Sequence, residues 1–587
     1  MAKAEEVEIA TGSVDAVREE PLRERLSKRF VISIAGLYLA GALVLTFPLG
    51  LHLASSTPAD FGDSRLTTYV LAWDAHALAH YPTRLFQDPI FYPAPDALAY
   101  TDHSVGLALF AAPIDWTTGN PYLAQNIVLI LSIAFSGLTA ALLAFELVQD
   151  RRAAIVAGAA YAFCPYWFGH VINIAHIQIL ASGWMPLCFL GIHRWLRTQS
   201  PRWVALAGSA FVMAALTSWY QAIYLTLAVV AFTVVLAVLS RPKRLMSILL
   251  QGAIATVLVG GILLPFALPY HRIQQRDPNF VRTEAQAGPY SAVYSSYLSA
   301  PKNNVLWATT TASFRRNQRG LAGLERTLFP GAACLVLALV GLLSFRHFRR
   351  DGPVLTATLA FTVIAVLISF GPHAVAGTSL WKFLFEHLSF LHALRVPARV
   401  EIITLVGLSV MAAFGARSLL RWFPRFATLL CILLTAAIFA EGLSIPIGLG
   451  KAVRVPSVYA SLAHRPGAIL ELPTGKPSLR NWAGPSNFDI EYMLYQTKHW
   501  RPIANGYSGY RPSYYDHTLA IALALPSKSA LIALRQLGID TLILHTDLVV
   551  ATPWKELQSE LRLVRDVSIL SVSGPIIVYS LDRVPVS

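Results

Sequence analysis

Apolar residues in this chain gather into long, nearly unbroken runs near 30–51, 123–148, 153–170, 177–195, 203–219, 221–240, 245–268, 328–346, 354–370, 399–418 and 425–447. Short polar connections separate most of them. A helix rising about 1.5 Å per residue needs roughly 20 apolar residues to cross about 30 Å of hydrocarbon, so the pattern predicts an α-helical polytopic membrane protein with about eleven transmembrane helices. After about residue 448 the pattern changes. Short apolar stretches, AILELP (468–473), TLILH (541–545) and PIIVYSL (575–581), alternate with helix-like FDIEYMLYQ and SALIALRQLG, the latter stopping at Gly538. No run there is long enough to span, and the region reads as a C-terminal α/β domain in water.

Charge orients the spans. Arg151 and Arg152, then Arg194, Arg197 and Arg202, then Arg241, Lys243 and Arg244, then Arg346, Arg349 and Arg350, then Arg417, Arg421 and Arg425 fall in every second connection. Cytoplasmic loops carry such an excess of cations. The expected organisation is a cytoplasmic tail over 1–29, a transmembrane domain over 30–447 with exterior loops 52–120 and 269–327, and an exterior domain over 448–587. The first run is read as an uncleaved helix, because the tail before it is too long and too acidic for a signal peptide.

Composition excludes other classes. Across 587 residues, 55% are apolar and 14% charged, too little charge for a soluble surface and too much apolar sequence for a disordered chain. The net charge of +14 resides largely in loop cations, so membrane lipids are expected as partners and nucleic acid is not. The four cysteines, Cys164, Cys188, Cys334 and Cys431, lie in apolar segments without CxxC spacing, which supports neither a disulfide framework nor a zinc site.

Candidate chemistry concentrates in the exterior loops. Leu66, Val70, Trp73 and Ala77 recur at helical spacing, predicting a surface helix over 64–80, with a second over 104–112. Asp63 then stands directly before a helix where the first span emerges. That is N-cap chemistry, and equally a place for a general base whose pKa an interfacial pocket raises. Asp102 and His103 form a second candidate, able to orient a substrate, bind a divalent cation or relay a proton. His76 and His80 share a helix face without the glutamate of a HExxH frame, and read as surface. The loop 269–327 is cationic and interleaved with tyrosines, and Arg282 within it suits an anionic headgroup. In LRVPARVEIITLV, Pro397 suits the first position of the tenth span. Arg399 in that first turn, joined by Arg395, is expected to hold an anion with the exposed backbone N–H groups, or to pair with Glu401.

The runs GDSRLTTYVLAWDAHAL, DPIFYPAPDALAYTDHSVGLALFAAP, GHVINIAHIQILASGWMPLCFLGIHRWLR and LRVPARV resemble bacterial multispanning proteins related to GT-C glycosyltransferases. ELPTG, YQTKHWRPIANGYSGYRPSYYD and LRQLGIDTLILH resemble the exterior tail of that group and of YfhO-like proteins. The resemblance covers most of the chain. It implies an enzyme of the bacterial inner membrane that moves a sugar from a polyprenyl-phosphate carrier to an exterior lipid, glycan or protein acceptor. It further implies Asp63 as the catalytic carboxylate. Asp102 and His103 are then the further catalytic candidates, and His176, Arg282, Arg395 and Arg399 the candidates for the donor phosphate. Asp63 is followed by Ser64 and Arg65 rather than a second acid, which leaves metal use open, and no cofactor motif is present: LPTGKPS (472–478) lacks the Walker spacing. Two other classes fit a polytopic chain, a lipid or polysaccharide transporter or flippase and a non-catalytic envelope-assembly protein. The first is expected to carry midplane ionisable residues in two matching halves. No such repeat is evident.

Overall fold

The protein is described by a computed structural model that covers residues 26–59, 62–172, 176–242, 244–277, 280–316, 318, 320–344, 351–474, 488–549, 552–565 and 567–581. Residues 1–25 of the expected cytoplasmic tail, the loop cations Lys243, Arg346, Arg349 and Arg350, Gly475 of ELPTG and the rest of LPTGKPS lie outside the described residues.

The chain is an α-helical membrane protein with a C-terminal α/β unit, and a helix begins or continues in each of the eleven apolar runs. These are α1 (Lys28–Leu45), α4 (Pro121–Val148), α5 (Arg151–Ala162), α7 (Trp184–Thr198), α8 (Pro201–Thr217), α9 (Trp219–Ser240), α10 (Leu245–Arg276), α13 (Ala332–Leu343), α14 (Gly352–Ser369), α16 (Glu401–Trp422) and α17 (Ala427–Glu441). Among the described residues seven helical segments are long and apolar enough to cross a membrane by themselves; α5, α7, α8 and α13 fall short of that. The run 153–170 is interrupted after Ala162, where Pro165 follows and the chain turns through a π-type segment at Trp167–Val171. Caps set several starts: Ser27 accepts from the Phe30 N–H, Asn120 from Leu123, and Asp150 from Arg152 and Ala153.

α16 is the most buried span and α10 the least, its Met246, Leu250, Val257, Leu258 and Ile262 facing outward. Such a surface is stable only against lipid. α13 and α16 approach most closely at Gly341 and Gly415. A side chain at either position would strike a carbonyl of the other helix. α10 also continues to Arg276, so the segment expected to begin an exterior loop at 269 is helical. There Arg272 pairs with Asp96 at 2.7 Å.

Between the long helices, in segments expected to be exterior, lie α2 (Gly62–His80) and α3 (Val105–Thr118), then α6 (Ile177–Leu180), α11 (Glu284–Ala287), α12 (Gly320–Leu324) and α15 (Leu380–His387). α3 runs past the expected end at 112 because Pro113 sits where the helix tolerates it, on an outward turn ending at Gly119. Strand β1 (Ser56–Pro58) pairs antiparallel with β2 (Leu449–Lys451), tying the exit of α1 to the entrance of the C-terminal unit.

That unit holds a four-stranded sheet in the order β3 (Ala468–Leu472), β4 (Ile539–His545), β6 (Ile576–Ser580), β5 (Ser568–Ser573), with β3 parallel to β4 and the rest antiparallel. Helices α18 (Phe488–Gln496), α19 (Ser513–Leu523) and α20 (Lys528–Gln536) accompany it. α20 ends as its sequence predicts, with Gly538 at φ +85°. The unit is bound to the 52–120 segment through backbone: Phe91 N–H donates to Asn505 at 3.0 Å, Tyr92 to Ile503 at 3.0 Å, and Ile503 to Pro89 at 2.8 Å. Arg65 pairs with Glu491, and the Tyr69 hydroxyl bridges Asp88 and Gln496.

Candidate functional site

A cavity of about 600 Å³ lies where α2, α8, α9 and α10 meet the segments 52–120, 269–327 and 389–399. Its lining includes the apolar Leu66, Val70, Phe211, Ile223, Leu263 and Ala267. It also carries Asp63, Asp102, His176, Arg282, Arg395 and Arg399. A lining that joins apolar and charged side chains suits an amphiphile with an anionic head.

Asp63 is not an N-cap. It lies inside the first turn of α2, where the helix N-terminus favours a carboxylate, and its side chain turns to other elements. Oδ2 stands 3.2 Å from His176 Nε2, and Oδ1 accepts from the Tyr507 hydroxyl at 2.9 Å. The side chain keeps 39% exposure, within the lining of the cavity. The expected upward pKa shift is not found. Burial raises it, but the His176 and Tyr507 hydrogen bonds and the Arg399 charge outweigh burial and bring Asp63 down to about 2. Those partners favour the ionised carboxylate at neutral pH. His176 is lowered by burial and by Arg399, with Asp63 opposing, so a neutral imidazole donating from Nε2 is the matching tautomer.

Asp102 and His103 do not act as a pair. Asp102 receives the Ser218 hydroxyl and the Trp219 N–H at 3.0 Å, clamping the start of α9 while lining the cavity. Burial lifts it to about 6, and those two hydrogen bonds limit the rise. His103 is fully buried among Phe86, Trp219, Phe266 and Tyr270, outside the cavity lining, and burial lowers it to about 3. Neighbours in sequence point apart, as alternation along an extended segment dictates.

The arginines divide into two kinds. Arg399 was expected to meet a bound anion or Glu401. It instead grips Glu325, from the 269–327 segment, through Nε at 3.1 Å and Nη2 at 2.5 Å. Its turn, Pro397–Val400, is 3₁₀, and the α-helix starts only at Glu401. The dipole conflict is thus relieved by a carboxylate of the chain itself. Arg282 and Arg395, by contrast, have no carboxylate within ion-pair distance among the described residues. Arg282 lies over the Tyr510 ring at 3.5 Å, donates to Gly509 O at 2.6 Å and leaves a buried Nε without a partner. Arg395 lies over Tyr290 at 5.0 Å, and its backbone N–H donates to the Tyr220 hydroxyl. Both line the cavity.

Among the described residues no group of three or more His, Cys, Asp or Glu side chains is placed to hold a metal ion. His76 and His80 stack on each other at 4.4 Å, and His76 also stacks on Trp500 at 4.4 Å. Four residues of the site went unpredicted: Tyr220, Glu325, Tyr507 and Tyr510. The Gly-Tyr alternation of GYSGY, set in a domain otherwise made of strands and helices, was the one local signal for the last two.

No protein-family model and no curated protein matches the chain. Two solved structures align with it over nearly its whole length. ArnT from Cupriavidus metallidurans in the apo state is 11% identical with a TM-score of 0.42, covering 94% of this chain and 98% of that one. The same protein bound to undecaprenyl phosphate is 11% identical with a TM-score of 0.36, covering 95% and 99%. Likeness this loose carries no argument about activity or residue roles, which rest on the site's own geometry.

Proposed function

We propose that the protein is an integral-membrane glycosyltransferase that takes a sugar from a polyprenyl-phosphate carrier and gives it to a hydroxyl of an exterior lipid, polysaccharide or protein acceptor. One observation carries the reading: a single cavity holds the carboxylate of Asp63 together with two arginines, Arg282 and Arg395, that no acidic side chain among the described residues pairs with, and apolar side chains in the same lining.

In this reading the prenyl chain lies along the apolar side chains of the lining and the phosphate meets Arg282 and Arg395. The acceptor oxygen attacks the anomeric carbon of the sugar. Its proton passes to Asp63, and the carbon–oxygen bond to phosphate breaks with its electron pair leaving on the phosphate. Fixed guanidinium groups stabilise that developing charge without reorganising. Asp63 is a weak base, yet the transition state of glycosyl transfer is oxocarbenium-like, so a nearby anion also stabilises the positive sugar ring. The charge of Arg399, held by Glu325, keeps Asp63 ionised, and no soluble nucleotide-binding fold is required because the carrier brings the sugar to the headgroup plane.

The test is mass spectrometry of cell-envelope glycans and lipids from cells with and without the gene. A sugar missing from one envelope component, with its polyprenyl-phosphate donor accumulating, is the expected outcome. Unchanged glycans and donor pools would refute the reading.

A further inference from the structure

Tyr507 belongs to the C-terminal unit, 444 residues along the chain from Asp63, yet its hydroxyl donates to Asp63 Oδ1 at 2.9 Å. His176 holds the other oxygen. Terminal torsions of carboxylates are otherwise soft, so one donor on each oxygen fixes the plane of the group. The loop carrying Tyr507 is built to deliver it. Asn505 Oδ1 accepts from the Glu471 N–H, while its Nδ2 donates to Glu471 O and Asp489 Oδ1. Asn505 O accepts from Phe91, Gly506 lies against the Phe91 ring, and the Tyr507 N–H meets Met493 Sδ at 3.2 Å. The neighbouring Tyr510 supports Arg282 in the same cavity.

We propose that Tyr507 is a positioning residue for the transfer reaction, by which the C-terminal α/β unit completes the reaction centre from across the chain. The proposal rests on the reading of Asp63 as the reacting carboxylate. Its consequence is that the exterior unit is part of the enzyme's working site rather than an appended binding module. The groups that face Asp63 are His176, Tyr507 and Arg399, the last backed by Glu325, and Arg395 lies near the Tyr507 hydroxyl. Of these, Tyr507 alone comes from the C-terminal unit, and Tyr507→Phe removes its hydrogen bond while keeping the ring.

The experiment uses the full chain, purified in lipid nanodiscs, and dicyclohexylcarbodiimide, which couples to protonated carboxyl groups. Label on the Asp63 peptide is read by mass spectrometry at about pH 5, with Asp63→Asn marking the background. Wild type should be nearly unlabelled, and Tyr507→Phe should carry about tenfold more label, because one hydrogen bond to a carboxylate is worth on the order of one pH unit. Undecaprenyl phosphate binding, read by quenching of tryptophan fluorescence, should be the same in both. A rise below about twofold, or heavy labelling of wild type, overturns the positioning role. The wild-type measurement keeps the test decisive even if the variant folds poorly. A wild type that fails to bind undecaprenyl phosphate while the label rises as stated removes the donor reading, and with it the transfer role, while the hold of Tyr507 on Asp63 stands.

Discussion

Asp63→Asn keeps the size of the side chain and its place in the first turn of α2, and an amide oxygen still accepts from Tyr507. It cannot take a proton at neutral pH. A general base contributes about 10² to 10⁴ in rate, so turnover should fall by about two orders of magnitude or more with undecaprenyl phosphate binding retained. Because Asp63 is held at about 2, the wild-type activity it controls should stay flat as pH falls toward about 3, with no acid limb in the usual carboxylate range. A limb near 4 to 5 in the kcat profile would place the proton on another group. The arginines separate by the same logic. Arg395→Ala and Arg282→Ala remove cations that no acid compensates, and each should weaken undecaprenyl phosphate binding about tenfold or more, measured in nanodiscs. Arg399→Ala leaves Glu325 buried, 5% exposed, without the guanidinium that holds it. Breaking such a pair costs about 3 to 5 kcal/mol, so a large drop in Tm is expected, and loss of activity in that variant reports stability rather than donor contact.

The elements place these residues, and their legibility in sequence followed the length of the interaction. Each apolar run marked a helix, FDIEYMLYQ marked α18 and the short apolar stretch TLILH marked β4, since each is set by neighbours one to four residues away. β5 went unseen because its residues are mostly exposed on both faces, so no alternation is imposed. The pairings that make the site are long-range, with Glu325 lying 74 residues before Arg399 and Tyr507 lying 444 after Asp63, and no local period encodes them. Asp63 and Arg395 were readable as ionisable residues beside span ends; which arginine stays unpaired was not. The segment joining the C-terminal unit to residues 89–92 gives an element-scale test. A side chain at Gly506 would stand 2.5 Å from the Phe91 ring. Gly506→Ala should therefore shift the 503–507 segment, costing about 1 to 3 kcal/mol, and raise proteolytic sensitivity between the two exterior parts. Equal protection of the variant and the parent in a limited-proteolysis time course would mean that the contact yields without strain.

At the scale of the whole molecule, the loop cations and the cavity occupy opposite ends of the bundle. Arg151 lies over Phe30 near the start of α1, Arg194 grips Glu146 near the ends of α7 and α4, and Arg417 joins the end of α16 to Asp351 before α14. One end therefore collects the cations of several connections. Asp63, Arg282 and Arg395 sit at the other, with the C-terminal unit packed over them. Cations mark the cytoplasmic side, so the site and the α/β unit should be exterior. A reporter active only outside the cytoplasm, fused after Ser587, should be functional, and the same reporter inserted between Ser240 and Lys243 should be silent. The two insertions check each other, because a chain with mixed orientation would give signal at both. A silent reporter after Ser587 with a functional one after Ser240 would put the cavity on the cytoplasmic face. A polyprenyl-phosphate donor presented on the exterior face could not then reach Arg282 and Arg395, and the transferase reading would fail on geometry whatever the behaviour of Asp63.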